Sequence, residues 1–166
     1  GFVGTAMAHA PYLDNIKQKF LWDDALDPIA HAVADALREH PASRIDELIA
    51  GECANTGASL PFSDERNLTW LCSYIIHLAS MKKRRDIVGA LRGRGIETFG
   101  DPQGWRELFG DTVPTHPDLD YRSELPARYG SIGLNLNITS AQMKSAVNQR
   151  LFDVPLAGSL LVTDAQ

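Results

Sequence analysis

Five short apolar segments, each close to a turn or polar residue, constrain the fold of this 166-residue chain more than any other feature. After Gly95 the chain alternates short strands with short helices, and in residues 134–138 apolar side chains alternate with Asn135 and Asn137. Strands that alternate with helices favour a parallel sheet covered by helices on both faces. The sequence therefore predicts an α/β fold, a Rossmann-like open parallel sheet of about five strands.

The predicted strands correspond to the segments FVG, IETFG, DTVPTHP, IGLNLNI and SLLVTD. Because its prolines exclude a central position, DTVPTHP is predicted to be an edge strand. A large, mostly helical insertion is predicted over 10–95, after the first strand, and it includes a long helix over 64–92. Another helix is predicted to begin at Thr139 or Ser140 and to run to about residue 157, with Pro155 causing a kink or break.

The whole chain, 1–166, is predicted to be a single domain, and we expect it to be cut short at both ends. The opening residues GFVGTAM already read as an apolar segment, whereas a natural start usually carries Met and a polar lead. The helical pattern over 10–95 is then an insertion within this domain.

Composition excludes several classes of function. A net charge of −5 argues against a nucleic-acid partner, since nucleic-acid-binding proteins are normally basic. No apolar run approaches the roughly 20 residues of a membrane span, and no secretory signal is visible. Cys53 and Cys72 have no metal-ligand spacing. We therefore expect a cytoplasmic protein with reduced cysteines, no bound metal and no cofactor.

A polar cluster follows the fourth predicted strand. Lys144, Ser145, Asn148 and Arg150 lie near the start of the helix predicted there, and helix N-termini suit a phosphate or diphosphate. Asp153, one turn further on, is placed to accept hydrogen bonds from ribose hydroxyls. Two ordinary interpretations stay open: Asp153 is an exposed helical residue, or Arg150 simply pairs with Asp153 at i+3.

Other residues at the predicted strand ends are weaker candidates. Gly4 suits a tight turn where backbone approaches a ligand. Asn137 and Thr139 end the fourth strand, where Asn137 contacts a ligand or fixes the following loop. His9 and His116 follow the first and third strands and are more typical of structural histidines. Parallel sheets bind ligands beyond these carboxyl ends, at the topological switch point.

The basic run Lys82-Lys83-Arg84-Arg85 is interpreted as a solvated face of the long helix. A contact with an acidic substrate, a membrane surface or another domain is the alternative.

The stretch GLNLNITSAQMKSAVNQRLFDVPLAGSLLVTD, residues 133–164, resembles the CgeB-like (spore maturation protein-type) glycosyltransferases, a branch of the GT-B superfamily. Weaker similarity occurs in FVGTAM, in IETFGDPQGWRELF and in DLDYRSELPARYGSIGLNLNI, so the resemblance covers nearly all of the chain, and the helical insertion is its least diagnostic part. It implies two Rossmann-like domains with the active site between them. The carboxy-terminal domain, which this chain resembles, binds the nucleotide-sugar donor.

The resemblance also implies roles for individual residues. In related enzymes a glutamate five residues before the glycine of an Ala-Gly pair holds the donor ribose, and counting back from Gly158 gives Asp153. A second glutamate lies eight residues earlier, where this chain has Ser145. The basic pair that usually follows the first strand is not evident in GTAMAHAP. Either Arg150 and backbone N–H groups bind the diphosphate instead, or the donor chemistry differs.

The leading hypothesis is the donor-binding domain of a GT-B glycosyltransferase that uses a nucleoside-diphosphate sugar. The catalytic residues are unknown, and any base is expected from a missing amino-terminal domain, so the fragment alone should be inactive. The alternative is a non-catalytic binding or scaffolding module on a degenerate glycosyltransferase fold. A flavodoxin-like or response-regulator domain is a third option, and the lack of an acidic pair after the first strand argues against the regulator.

Overall fold

The computed structural model describes residues 1–4 and 10–164. The prediction for His9 lies outside these residues. The helices of the described chain are α1 Ala10–Lys17, α2 Leu26–Glu39, α3 Ile45–Thr56, α4 Glu65–Ala90, α5 Pro102–Phe109, α6 Leu125–Ser131 and α7 Arg150–Leu156. The strands are β1 Phe2–Val3, β2 Thr98–Phe99, β3 Thr115–His116, β4 Leu134–Asn137 and β5 Leu160–Thr163, and a 3₁₀ turn spans Gly110–Thr112.

Within the described residues the five strands form one sheet, in the order β3-β2-β1-β4-β5, and every neighbouring pair is parallel. The prediction of a Rossmann-like open parallel sheet is confirmed. β3 lies at one edge, as its prolines indicated. The chain places β2 and β3 on one side of β1, and β4 and β5 on the other. The switch point therefore lies between the carboxyl ends of β1 and β4.

Helices cover both faces of the sheet. On one face Phe2, Trp105 and Ile138 pack with Val88 of α4, and the Phe2 and Trp105 rings meet edge to face at 5.6 Å between centroids. The other face is covered by α6 and α7, whose residues Leu125, Tyr129 and Val154 pack against Val3 and Leu161. Phe2 and Val3 thus point to opposite faces, as the two-residue period of a strand requires.

Along the chain, helices α1 to α4 come between β1 and β2. They form a hydrophobic cluster of their own, centred on Ile29, Val33, Leu71, Ile75 and Leu78. The cluster extends to Ala141, in the loop after β4. Ser80 of α4 fixes the same loop, because its Oγ accepts the Ala141 N–H at 3.0 Å and lies 3.1 Å from the Ser140 Oγ. The insertion is therefore packed against the loop that follows β4.

The long helix α4 begins where the sequence indicated, and both α4 and α5 begin at an aspartate cap. Asp64 caps α4 by accepting the Asn67 N–H at 3.0 Å. Asp101 caps α5 by accepting the Gly104 N–H at 3.1 Å, with Pro102 at the first helical position.

The helix predicted over 140–157 is wrong for its first half. The helix after β4 begins only at Arg150 and ends at Leu156, with Pro155 in its last turn. Thr139 does not act as an N-cap, because its N–H and hydroxyl donate to Asp164 at 2.9 and 3.0 Å. Residues 141–149 form turns and loop instead. Lys144, Ser145 and Asn148 consequently precede the helix rather than lie within it.

The interpretation of residues 82–85 as a solvated face is also wrong for most of the run. Lys82 and Arg84 are buried, at 7% and 8% exposure, and Lys82 pairs with Asp35 at 2.7 Å. Lys83 pairs with Asp164. Arg85 alone of the four is exposed. These cations face inward because α4 packs against the other insertion helices on one side and against the sheet on the other.

None of the helices described is both long enough and apolar enough to cross a membrane.

Candidate functional site

The carboxyl ends of β1 and β4 carry Gly4 and Asn137, and the side chain of Arg150 lies across both. Arg150 Nη1 donates to Asn137 Oδ1 at 3.3 Å, and the guanidinium carbon lies 5.4 Å from the centre of the Phe2 ring. A Cβ on residue 4 would lie 2.9 Å from Arg150 Nη2, and Gly4 has a φ of 147°. Glycine at position 4 therefore allows the guanidinium to approach the backbone.

Arg84, on α4, interacts electrostatically with Arg150 of this group. Burial and, to a smaller extent, the positive charge of Arg150 lower the pKa of Arg84 to about 10, although Asp101 and Asp164 act in the opposite direction. Two arginine charges that interact in a partly buried site form a centre of positive potential. We refer to Gly4, Arg84, Asn137 and Arg150 as the switch-point cluster.

Asn137 has a structural and a positioning role at once. It is fully buried, and its Nδ2 donates to Thr163 Oγ1 at 3.0 Å, which ties β4 to β5. Its Oδ1 accepts from Arg150. The amide therefore fixes both the end of the strand and the guanidinium beside it.

Asp164, at the end of β5, organises the loop that follows β4. Burial acts to raise the pKa of Asp164, but hydrogen bonds from Lys83 and Thr139 outweigh burial and leave the pKa lowered. The carboxylate thus remains ionised while it holds Thr139, a residue predicted to bind ligand, in a 3% exposed position. Thr139 thus bonds to Asp164, and its Oγ1 also accepts from Asn137 Nδ2 of the switch-point cluster at 3.5 Å.

A groove of about 350 Å³ lies between α6 and α7. It is lined by Tyr121, Arg122, Leu125, Pro126, Tyr129, Asp153, Leu156 and Ala157. We call it the α6–α7 groove. Most of its wall is apolar or aromatic, with a carboxylate and a guanidinium among the lining residues, which is the usual character of a small-molecule site.

Asp153 faces this groove, where its Oδ2 accepts a hydrogen bond from the Tyr121 hydroxyl at 3.0 Å. Gln149 Nε2 donates to the same phenol oxygen. The hydrogen bond to Asp153 raises the pKa of Tyr121. The i+3 pairing of Arg150 with Asp153 does not occur in the described geometry, because Arg150 instead bonds to Asn137 and Asp153 to Tyr121.

Tyr129 connects the groove to the switch-point cluster. Burial raises its pKa, and a hydrogen bond with Arg150 acts in the opposite direction. Tyr129 also lines the α6–α7 groove. Tyr129 therefore contacts both the groove and Arg150.

The remaining predicted residues lie beside the cluster or apart from it. Asn148 Oδ1 accepts the Arg150 N–H at 3.1 Å and so orients the first turn of α7. Ser145 is exposed in the loop between β4 and α7. His116 ends β3, stacks on Phe99 with centroids 4.6 Å apart and lies 3.2 Å from Glu97 Oε2. That environment is structural.

Sequence reasoning missed Arg84, Asp164 and Tyr121. A signal for Arg84 was present, because it lies four residues before Val88, which belongs to the apolar stripe of α4, and so shares that buried face. No local signal identifies Tyr121, which precedes α6 and meets Asp153 only through the packing of α6 on α7.

The fold and this arrangement define a Rossmann-like domain with a basic centre at its switch point and an apolar groove beside it. Residues 77–166, more than half of the chain, match the family described as glycosyl transferase-like, and the chain belongs to that family. The match includes every residue of the switch-point cluster except Gly4. No curated protein and no solved structure matches the chain.

Proposed function

We propose that this chain is the donor-binding domain of a GT-B, CgeB-like glycosyltransferase that takes its sugar from a nucleoside diphosphate. Membership of the glycosyl transferase-like family supports glycosyl transfer in general. The observation that carries the finer proposal is the position of Arg150 against Gly4 and Asn137 at the switch point of a parallel sheet, where its charge interacts with that of buried Arg84.

In this proposal Arg150 and Arg84 bind the diphosphate and stabilise it as the leaving group. Preorganised cations in a partly buried site stabilise developing negative charge without reorganisation. Asp153 accepts the ribose hydroxyls, and the α6–α7 groove holds the nucleoside. The basic pair that the sequence lacks after β1 is thereby replaced by one arginine from α4 and one from α7.

The domain itself positions the donor. A catalytic base and the acceptor site belong to an amino-terminal domain, which is the partner we propose, and the location we propose is the cytoplasm. The chain alone is then expected to bind nucleotide without transferring sugar.

A thermal-shift panel of UDP, GDP, ADP and dTDP on the 166-residue chain tests this proposal. A ligand at about 100 times its dissociation constant adds about 2.7 kcal/mol to the free energy of unfolding. Arg150→Met should weaken binding at least about tenfold, the usual effect of losing a charge-assisted hydrogen bond. Arg94→Met removes an exposed arginine outside the site and should leave binding unchanged.

A folded chain that binds none of the four nucleotides would contradict the proposal. The second candidate, a non-catalytic binding or scaffolding module, would then be favoured. It is supported by exposed Ser145 at the position of the family's second glutamate. Binding that survives Arg150→Met would retain the function and exclude the switch-point cluster as its site.

A further inference from the structure

Tyr121 and Asp153 form a hydrogen-bonded pair at the wall of the α6–α7 groove, and the pair has more hydrogen-bond acceptors than donors. A tyrosine hydroxyl has one hydrogen to donate and two lone pairs, and a carboxylate only accepts. The hydrogen of Tyr121 is committed to Asp153 Oδ2, and one lone pair of its oxygen accepts from Gln149. The second lone pair of Tyr121 and the other oxygen of Asp153 are therefore acceptors.

Two neighbouring acceptors match a ligand that has two neighbouring donors. The 2′ and 3′ hydroxyls of ribose are such a vicinal pair, and a 2′-deoxyribose supplies only one of them. A site built to bond a hydroxyl discriminates against the analogue that lacks it, because one of its polar groups is then left without a partner.

Resting on the proposed function, we propose that Tyr121 is a specificity-determining residue that makes this site select ribonucleotides over 2′-deoxyribonucleotides. Tyr121 acts in two ways. Its oxygen accepts from one ribose hydroxyl, and its hydrogen bond holds Asp153 in the orientation that accepts from the other.

The side chain is suited to this role by its position. Tyr121 lies in the turn that precedes α6, at 51% exposure, with its ring on the groove and its hydroxyl bonded to Asp153 of α7. It therefore joins the two helices that form the groove, and it does so through a polar contact rather than through the packed core.

The test is a comparison of ligands across variants by isothermal titration calorimetry. UDP, GDP and ADP are each titrated beside their 2′-deoxy counterparts into the wild-type chain and into Tyr121→Phe. We expect the wild type to prefer a ribonucleotide by about fivefold or more, the typical effect of one hydrogen bond. In Tyr121→Phe that preference should fall below about twofold, mostly through weaker ribonucleotide binding.

Tyr74→Phe is the matched control, because it removes the same atom from a tyrosine of the insertion core. It should leave the preference unchanged. Gln149→Ala should reduce the preference only in part, since it removes the donor to Tyr121 and leaves the Tyr121–Asp153 contact in place.

Three results would overturn the inference, and each is distinguishable. A wild-type chain that binds ribose and deoxyribose forms equally has no such selectivity. A preference that persists in Tyr121→Phe assigns the selectivity to other residues. Absence of nucleotide binding would contradict the proposed function itself. Phenolate absorbance adds a readout without nucleotide: the pKa of Tyr121, assigned by difference from Tyr121→Phe, should fall in Asp153→Asn.

Discussion

Replacing Arg84 by methionine should stabilise the ligand-free protein while removing its response to diphosphate. Arg84 is 8% exposed, and its charge lies close to that of Arg150. A long, unbranched methionine occupies the space of the arginine stem without a charge to desolvate. Replacement of a buried charge by an apolar side chain of similar size is often neutral or stabilising.

The magnitude follows from the pKa. The pKa of Arg84 is lowered from 12.5 to about 10, which raises its acid dissociation constant by more than two orders of magnitude. Keeping Arg84 charged in the folded state therefore costs roughly 3 kcal/mol. This cost is fully present below pH 10 and disappears as the pH rises from the folded pKa towards the unfolded one. Between pH 6 and 8 we therefore expect a constant gain of about 1–3 kcal/mol in Arg84→Met.

The assay is urea denaturation at pH 7 with and without pyrophosphate. Wild-type protein should gain stability with pyrophosphate, and Arg84→Met should start more stable and gain little. Arg85→Met is the matched control. Arg85 is the next residue on the same helix, but it is exposed and pairs with Asp86, so its loss should change stability by less than about 0.5 kcal/mol.

Two outcomes would refute the reasoning. Destabilisation of Arg84→Met by more than about 1 kcal/mol would mean that the contacts of Arg84 outweigh the cost of its buried charge. A variant that is more stable and still responds fully to pyrophosphate would place the anion elsewhere.

The remaining predictions concern the support of the loop after β4. Ser80→Ala should lower the free energy of unfolding by about 1–3 kcal/mol, because the Ala141 N–H loses its acceptor; a change below about 0.5 kcal/mol in urea denaturation would contradict this. The lowered pKa of Asp164 implies stability that is present above about pH 4 and lost as the pH falls through the folded pKa. Asp164→Asn should therefore depend less on pH than wild type between pH 5 and 2, and parallel curves would exclude that contribution.

The strands and the class of sheet could be predicted from the sequence because their signals are local. The alternation in residues 134–138 and the prolines around Thr115 identify a strand and an edge strand without any knowledge of the partner strands. Asp64 and Asp101 are N-caps for a similar reason, since each bonds to a backbone N–H three residues away.

The first half of the helix predicted over 140–157 does not form, because residues far away along the chain bind its backbone in other hydrogen bonds. Residues 140–149 include good helix formers, and Thr139 is a reasonable cap by propensity. Asp164 binds the N–H and hydroxyl of Thr139, and Ser80 of α4 binds the Ala141 N–H, so this part of the loop is held by the rest of the fold. Both partners lie far away along the chain. Tertiary hydrogen bonds thus override a local preference worth only tenths of a kcal/mol per residue.

Only part of the candidate site could be predicted from the sequence, for a related reason. Arg150 and Asp153 stand within one short stretch that resembles a family motif, so sequence alone could identify them. Gly4 becomes a neighbour of Arg150 only because β1 lies next to β4 in the sheet, and the charge of Arg84 interacts with that of Arg150 only because α4 packs against the sheet. The sequence indicates how many strands there are but not their order, and the order decides which strand ends meet at the switch point. A basic pair divided between α4 and α7 is therefore invisible to any search for two adjacent basic residues after β1.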